Sequence, residues 1–341
     1  MSATSAPPEL DVDARPGAPA TALVSPPGNP VSWAQQHRDA LRATVVRHGA
    51  VLVRGLGLSH PDQVAAVFRA VSPELMTERE AFAARSSYAP GVYSSATWPA
   101  NQPMCMHHEL SYTLHAPGLL LLACLTAPAA GGVTGVADSQ AVLRALPADL
   151  VTRFERDGWM LIRNYNDEIG ASVADAFGTD DRAAVERYCA ENRIELEWQP
   201  DGGLRTRQRR AAIVRHPVTG ERCWFNQVAF LSEWTIDPEL REYLMDMYEE
   251  DGLPFTTAFG NGDPIGEDVV AMLNEIYESH TLREPWRAGD LMLVDNVRTA
   301  HSREPYEGER EILVAMSDPV SLQGTASKES LQGTASKEEG R

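Results

Sequence analysis

The stretch LLLLACL, residues 119–125, is the most apolar run in the chain and restricts its architecture more than any other feature. It is too short to cross a bilayer, which takes about 20 apolar residues in a helix. It reads as a buried strand. Further short strand-like segments stand at 50–55, 159–164, 194–198, 211–215, 223–226, 290–294 and 310–317, separated by glycine and proline turns. Many short strands with turn signals favour a sandwich or a barrel, with helices laid against the outside. Three helical patterns fit that place: one capped by Ser32 and running to about Arg47, one behind Thr179, Asp180 and Asp181, and one opened by Pro264. The last carries Ile265, Val269, Met272, Leu273, Ile276 and Tyr277 at helical spacing.

No linker interrupts 31–320, so that region is expected to be a single domain in this chain of 341 residues. Residues 1–30 are rich in Pro, Ala, Ser and Gly without an apolar period, the composition of a disordered arm. At the other end SLQGTASKE, 321–329, is repeated unchanged at 330–338. A repeat with no apolar face cannot stack into a solenoid, so 321–341 is expected to be a disordered tail. With 30 basic against 48 acidic side chains the formal net charge is -18, which argues against nucleic acid and anionic membrane surfaces as partners. The four cysteines, Cys105, Cys124, Cys189 and Cys223, form neither a C-x-x-C pair nor a disulfide framework. With no basic start followed by an apolar core at the N-terminus, a reducing cytoplasm is the expected compartment.

MCMHHELSY, 104–112, carries the first sign of chemistry. In an extended chain, positions two apart share a face, so His107 and Glu109 can converge while His108 looks elsewhere. An imidazole and a carboxylate form a generic pair for a divalent metal that needs at least one more ligand. GDLMLVDNVRTAHSREPYEGEREILVAM, 289–316, offers His301 beyond a buried strand and the turn-like Asp295 and Asn296. His-x-Glu with a single distal His is the sequence form of the 2-His-1-carboxylate triad of Fe(II) oxygenases.

These motifs resemble the Fe(II)/2-oxoglutarate-dependent dioxygenases of the taurine-dioxygenase (TauD/TfdA) type, whose fold is a double-stranded β-helix or jelly roll: mainly β with flanking helices, cupin-like. The resemblance covers most of the chain in order: HGAVLVRG (48–55), MHHELSY (106–112), the Gly-Gly-x-Thr turn of APAAGGVTGVAD (127–138), and DNVRTAHSREPYEGEREILVAM (295–316). FGTDDRAAVERYC (177–189) and TGERCWFNQ (219–227) are similar to a subgroup found in natural-product pathways such as antibiotic biosynthesis. The resemblance implies that His107, Glu109 and His301 hold iron and that Thr134 touches the 2-oxoglutarate carboxylate. Where the taurine-dioxygenase core carries its arginine this chain has Ala315, whereas the Gly-x-Arg of the natural-product subgroup is matched by Arg310. Arg310 is therefore the expected partner of 2-oxoglutarate, Arg303 the substitute, and Arg298 a third choice. His108 and Ser111 are expected to make hydrogen bonds behind the ligands. Trp224, Asn226 and Gln227 are candidates to line the substrate pocket, with the core an equal place for Trp224.

The implied cofactor set is Fe(II), 2-oxoglutarate as cosubstrate, and O2. Relatives that halogenate lack the carboxylate ligand, so Glu109 favours hydroxylation, with desaturation or cyclisation as alternatives set by substrate placement. The expected substrate is a small molecule, an amino acid either free or bound to a carrier protein. Arg205, Arg207, Arg209, Arg210 and Arg215 form a basic cluster that fits either an anionic substrate or carrier or an ordinary charged surface. A zinc-dependent jelly-roll hydrolase would use the same ligands but has no need of Thr134 and Arg310 together. A non-catalytic binding protein would not need the ligands.

Overall fold

Alternate residues of the long strands face two different cores. From His115–Thr126, Leu291–Asp295 and Glu311–Ser321, the side chains of Leu120, Leu122, Met292, Val294, Ile312 and Val314 join one apolar cluster. Leu119, Leu121, Leu291, Leu293, Leu313 and Ala315 join another. Successive side chains point to opposite faces, so a sheet covered on both sides must be apolar at consecutive positions. That requirement accounts for LLLLACL.

The computed structural model describes residues 10–25, 28–165, 170–200, 202–248 and 252–321. The long strands form the centre of an eight-stranded sheet in the order Val12–Asp13, Ala20–Leu23, Ala50–Arg54, Leu291–Asp295, His115–Thr126, Glu311–Ser321, Val92–Ser94, Ser87–Ala89. Neighbours are antiparallel except Ala20–Leu23, which runs parallel to Ala50–Arg54. Helices Pro30–His48 and Pro61–Val71 cover one face with Ala34, Leu41, Val45, Val64, Val67 and Phe68. A four-stranded sheet of Thr281–Leu282, Val136–Asp138, Thr299–Arg303 and Met104–His107 contributes Val136, Ala137, Ala300 and Met106 to the cluster on the opposite face. The two sheets enclose a double-stranded β-helix, as expected. A further sheet, Glu195–Trp198, Leu204–Arg210, Trp159–Tyr165 and Phe255–Phe259, stands beside it.

Several boundaries differ from those expected. Residues 10–25, placed in a disordered arm, supply two strands of the large sheet. Ala20 and Ala22 are buried there because small side chains fit against Ala50–Arg54, and composition alone does not register a partner strand. The first helix begins at Pro30, with Asn29 rather than Ser32 as its cap; Asn29 Oδ1 accepts the Ser32 amide. The helix expected from Pro264 begins at Glu267, while Pro264 makes an isolated bridge with Ala258. The helix expected behind Thr179 is Arg182–Glu191, capped by Asp181 and without an acidic residue in its first turn. Residues 1–9 and 322–341, including nearly all of the repeated tail, lie outside the described residues.

Leu204–Arg210, absent from the expected strands, hides its β pattern behind arginines. Leu204, Thr206 and Gln208 point inward and are buried, and the arginines between them face outward. Those arginines brace the surface: Arg207 lies 3.8 Å from Glu197, and Arg209 and Arg210 donate to the carbonyls of Asp157 and Tyr112. Arg215 donates to the carbonyl of Gly220. These contacts give the cluster a structural role and remove much of its appeal as an anion patch.

Glu80 joins that sheet to the barrel. It has a φ of 57° and is 1% exposed; its carboxylate accepts hydrogen bonds from Tyr188 (2.8 Å) and Gln208, and its carbonyl accepts from Tyr112 and Arg163. Burial raises its pKa above 4.5, an effect that the Tyr188 and Gln208 hydrogen bonds only partly offset. A carboxyl raised by folding stabilises the protein below its unfolded pKa and loses that contribution as pH rises through the folded value. In Glu80→Gln this loss should vanish. Denaturant unfolding from about pH 4 to about pH 8 should show the variant gaining on the wild-type protein as pH rises. A gap independent of pH would contradict the assignment.

Candidate active site

His107 ends the strand Met104–His107 and stands directly opposite His301 on Thr299–Arg303. Cross-strand partners share a face of the sheet, and here the ring centroids are 4.2 Å apart. Glu109 does not continue the strand. The chain turns after His108, Leu110 has a φ of 50°, and the Asn296 side chain holds the turn by accepting the Glu109 amide (2.8 Å) and donating to its carbonyl (2.9 Å). The expected convergence therefore arises from a clamped turn rather than from extended alternation alone. His301 Nε2 lies 3.7 Å from Glu109 Oε2, and one donor atom from each of the three residues lies within 4.8 Å of the others.

The donor chemistry fits a divalent ion. His107 Nδ1 is 2.8 Å from the Cys105 carbonyl, a contact that makes it the donor and leaves Nε2 free as a ligand. Burial and then His301 lower the His107 pKa to about 3, so the ring is neutral at physiological pH. For Glu109, burial acts upward, but Arg85, His301 and His107 outweigh it and hold the carboxyl well below its usual range. His301 Nδ1 is buried without a hydrogen-bond partner. His108 points away: Nδ1 meets the Asn296 carbonyl and Nε2 meets Ser139 Oγ at 3.0 Å. Ser111 Oγ, expected to support the ligands, is buried with no partner.

Thr134 and Arg310 border the same narrow cleft, of about 70 Å3, as the triad. Gly131 and Gly132 make this possible, with φ of 67° and 66°; a Cβ on Gly131 would lie 2.2 Å from the Pro305 carbonyl oxygen. The Gly132 carbonyl accepts Arg310 Nε at 3.1 Å, and Thr134 Oγ1 lies 3.4 Å from Arg310 Nη2. Burial and then Arg303 lower the Arg310 pKa to about 10, which leaves it charged at neutral pH. Arg303 also borders the cleft, but its guanidinium donates to the carbonyls of Trp98, Pro99 and Gln102. Arg298 is held by Asp138 and the carbonyls of Val46 and Arg47.

Of the three substrate candidates only Gln227 borders the cleft, and its amide is anchored to the His108 carbonyl. Trp224 is fully buried, edge-on to Phe154 with centroids 4.9 Å apart; Asn226 donates to the Ala212 carbonyl and receives the Val228 amide. Neither borders this cleft or the larger cavity beside it, so both are corrected to packing and turn residues. That second cavity, of about 770 Å3, shares Glu78, Phe82, Ala83 and Arg85 with the cleft and adds Trp98 and Phe255. Sequence reasoning missed Arg85, Phe230, which stacks on His107 at 4.6 Å, and Trp286, whose indole donates to Thr134. None belongs to a recognisable spacing; Asn296 was visible only as a turn residue.

The model of the taurine catabolism dioxygenase TauD, TfdA family matches residues 14–316. The chain belongs to the TauD/TfdA family. Fe(II), 2-oxoglutarate and O2 are accordingly its cofactor and cosubstrates. Among similar proteins, the dapdiamide synthesis protein DdaC of Enterobacter agglomerans is 33% identical over 272 residues, covering 80% of this chain and 83% of that protein. A clavaminate synthase-like protein of Arabidopsis thaliana is 27% identical over 279 residues, covering 79% and 81%. PvcB of Pseudomonas aeruginosa superposes with a TM-score of 0.53 at 14% identity, covering 93% of this chain and 94% of that one. A taurine dioxygenase of Burkholderia xenovorans gives 0.51 at 18% identity, covering 93% of each. The structural likenesses bear on the fold. No helix among the described residues is long and apolar enough to cross a membrane.

Proposed function

We propose that this TauD/TfdA-family oxygenase hydroxylates an unactivated C-H bond of an amino acid or an amino-acid derivative, free or carrier-tethered, in secondary metabolism, within one catalytic domain. The observation that carries the reading is the convergence of His107, Glu109 and His301 in one cleft with an arginine, Arg310, that has no carboxylate partner among the described residues. His107, Glu109 and His301 hold the metal, and Arg310 with Thr134 holds the distal carboxylate of 2-oxoglutarate. When bound, Fe(II) and 2-oxoglutarate supply the oxidation: 2-oxoglutarate, O2 and R-H give succinate, CO2 and R-OH, one oxygen atom going to each organic product. The chain orients the reactants. Phe230 closes one side of His107, and Phe82 packs 5.6 Å from Phe230, a wall that keeps water from the triad.

The cleft is too small for both reactants, so the substrate's bulk belongs in the neighbouring cavity of about 770 Å3, which lies within the roughly 300–1,000 Å3 typical of small-molecule sites. The relationship to DdaC, named for dapdiamide synthesis, supports a small-molecule substrate in a biosynthetic pathway. The test is succinate release from 2-oxoglutarate, with and without candidate amino acids, N-acylated amino acids and carrier-tethered forms, alongside metal analysis. Substrate-stimulated succinate with Fe(II) is expected. Turnover supported by zinc without 2-oxoglutarate would establish the hydrolase instead.

Hydroxylation is further expected over halogenation, because Glu109 already supplies the ligand that a halide would have to replace. The product should gain one oxygen atom from 18O2, and added chloride or bromide should leave its mass unchanged. Glu109→Gly should lose most hydroxylation. A halogenated product from the unaltered protein would refute this expectation.

A further inference from the structure

Arg85 belongs to no motif, yet its guanidinium is held from three sides beside the triad. Nε donates to Glu78 Oε1 at 3.1 Å, Nη1 to the Ser94 carbonyl at 3.3 Å, and Nη2 to Glu109 Oε1 at 3.1 Å. The side chains of Glu78, Arg85 and Glu109 are 9%, 8% and 11% exposed, so the contacts are shielded from water. The two oxygens of Glu109 consequently have different neighbours. Oε1 faces Arg85, whereas Oε2 faces His301 Nε2 at 3.7 Å.

A free carboxylate can turn both oxygens toward a divalent ion. One whose first oxygen is held by a fixed guanidinium is turned to offer the second, because rotating the first toward the ion would break that hydrogen bond. The planar guanidinium of an arginine is suited to this because its fixed donors can hold two carboxylates at once. We propose that Arg85 is a positioning residue that restricts Glu109 to one-oxygen ligation and thereby keeps open a coordination position that 2-oxoglutarate or O2 requires. Glu78 holds the same guanidinium through Nε. Because Glu78 and Arg85 also line the larger cavity, their pairing keeps the guanidinium from swinging toward substrate. The proposal rests on the assignment of His107, Glu109 and His301 as the metal ligands.

The full chain loaded with Co(II), whose visible spectrum reports coordination number and geometry, provides a readout apart from turnover. Arg85→Met and Arg85→Gln remove the charge at similar volume, and Arg85→Lys keeps the charge but cannot grip both carboxylates. In the two neutral variants the Co(II) spectrum is expected to change before 2-oxoglutarate is added. The 2-oxoglutarate affinity, titrated through the same spectrum, should fall by about 10-fold or more, in line with the roughly 10- to 100-fold loss of metal affinity or activity that follows removal of a group orienting a metal ligand. Arg85→Lys should recover part of both. Circular dichroism identifies the folded variants, and a wild-type spectrum with wild-type affinity in any of them overturns the proposal. If neither neutral variant folds, the lysine variant decides, since it too should differ from wild type. His301→Ala separates the two layers of the argument: an unchanged Co(II) spectrum there would show that the metal sits elsewhere, a failure of the ligand assignment rather than of Arg85.

Discussion

Alanine at His301 should abolish turnover and metal binding while leaving the fold in place. His301 stands opposite His107 across one antiparallel pair and faces Glu109 through Nε2, so its removal takes one of three donors from a site with no fourth His, Cys, Asp or Glu in the cluster among the described residues. Loss of a group behind a ligand typically costs about 10- to 100-fold in metal affinity or activity, so loss of a ligand should exceed roughly 100-fold. His107→Ala and Glu109→Ala should behave alike. His108→Ala is the control: it deletes contacts to Asn296 and Ser139 and should lower stability by about 1–3 kcal/mol while the protein still binds one metal ion. Metal content after dialysis, read with succinate production, checks all four. Full activity in His301→Ala would dismantle the site.

How much of this was legible in the sequence depended on whether the controlling interaction is local. Continuous apolar runs marked the barrel strands because each is read along its own length, and His107, Glu109 and His301 carried a recognisable spacing. The turn that brings Glu109 back to the metal point was not legible, since it depends on Asn296, 187 positions away. Arg85 was invisible for the same reason: its partners Glu78, Ser94 and Glu109 follow no periodic pattern. For Trp224 the core reading is the one the structure bears out, and Asn226 holds the turn through Ala212 and Val228, contacts that no local pattern displays. Residues 10–25 were misread because a short strand of small residues such as Ala20–Leu23 has the composition of a linker until its neighbours are known.

Arg310→Ala should raise the 2-oxoglutarate requirement by tens-fold or more, whereas Arg303→Ala should act mainly on stability. The two arginines border one cleft but are committed differently. Arg303 donates to three carbonyls around residues 98–102, contacts that hold a loop whether or not a cosubstrate is present. Arg310 meets one carbonyl and the Thr134 hydroxyl, is charged at neutral pH, and has no carboxylate partner among the described residues. A cation buried without a counter-charge is costly unless an anion completes it, and a guanidinium fork suits a carboxylate. Removing one partner of such a pair costs about 2–5 kcal/mol when the other charge stays buried, and 1.4 kcal/mol corresponds to tenfold in affinity. Arg310→Lys keeps the charge but loses the fork, so its requirement should fall between those of wild type and alanine. Succinate formation titrated with 2-oxoglutarate at saturating Fe(II) gives the three values directly, with thermal unfolding run in parallel for the Arg303 variant. If Arg303→Ala raised the requirement and Arg310→Ala did not, the clamp would belong to the arginine two residues beyond His301, and the Gly131-Gly132 turn that shapes the Arg310 pocket would need another purpose.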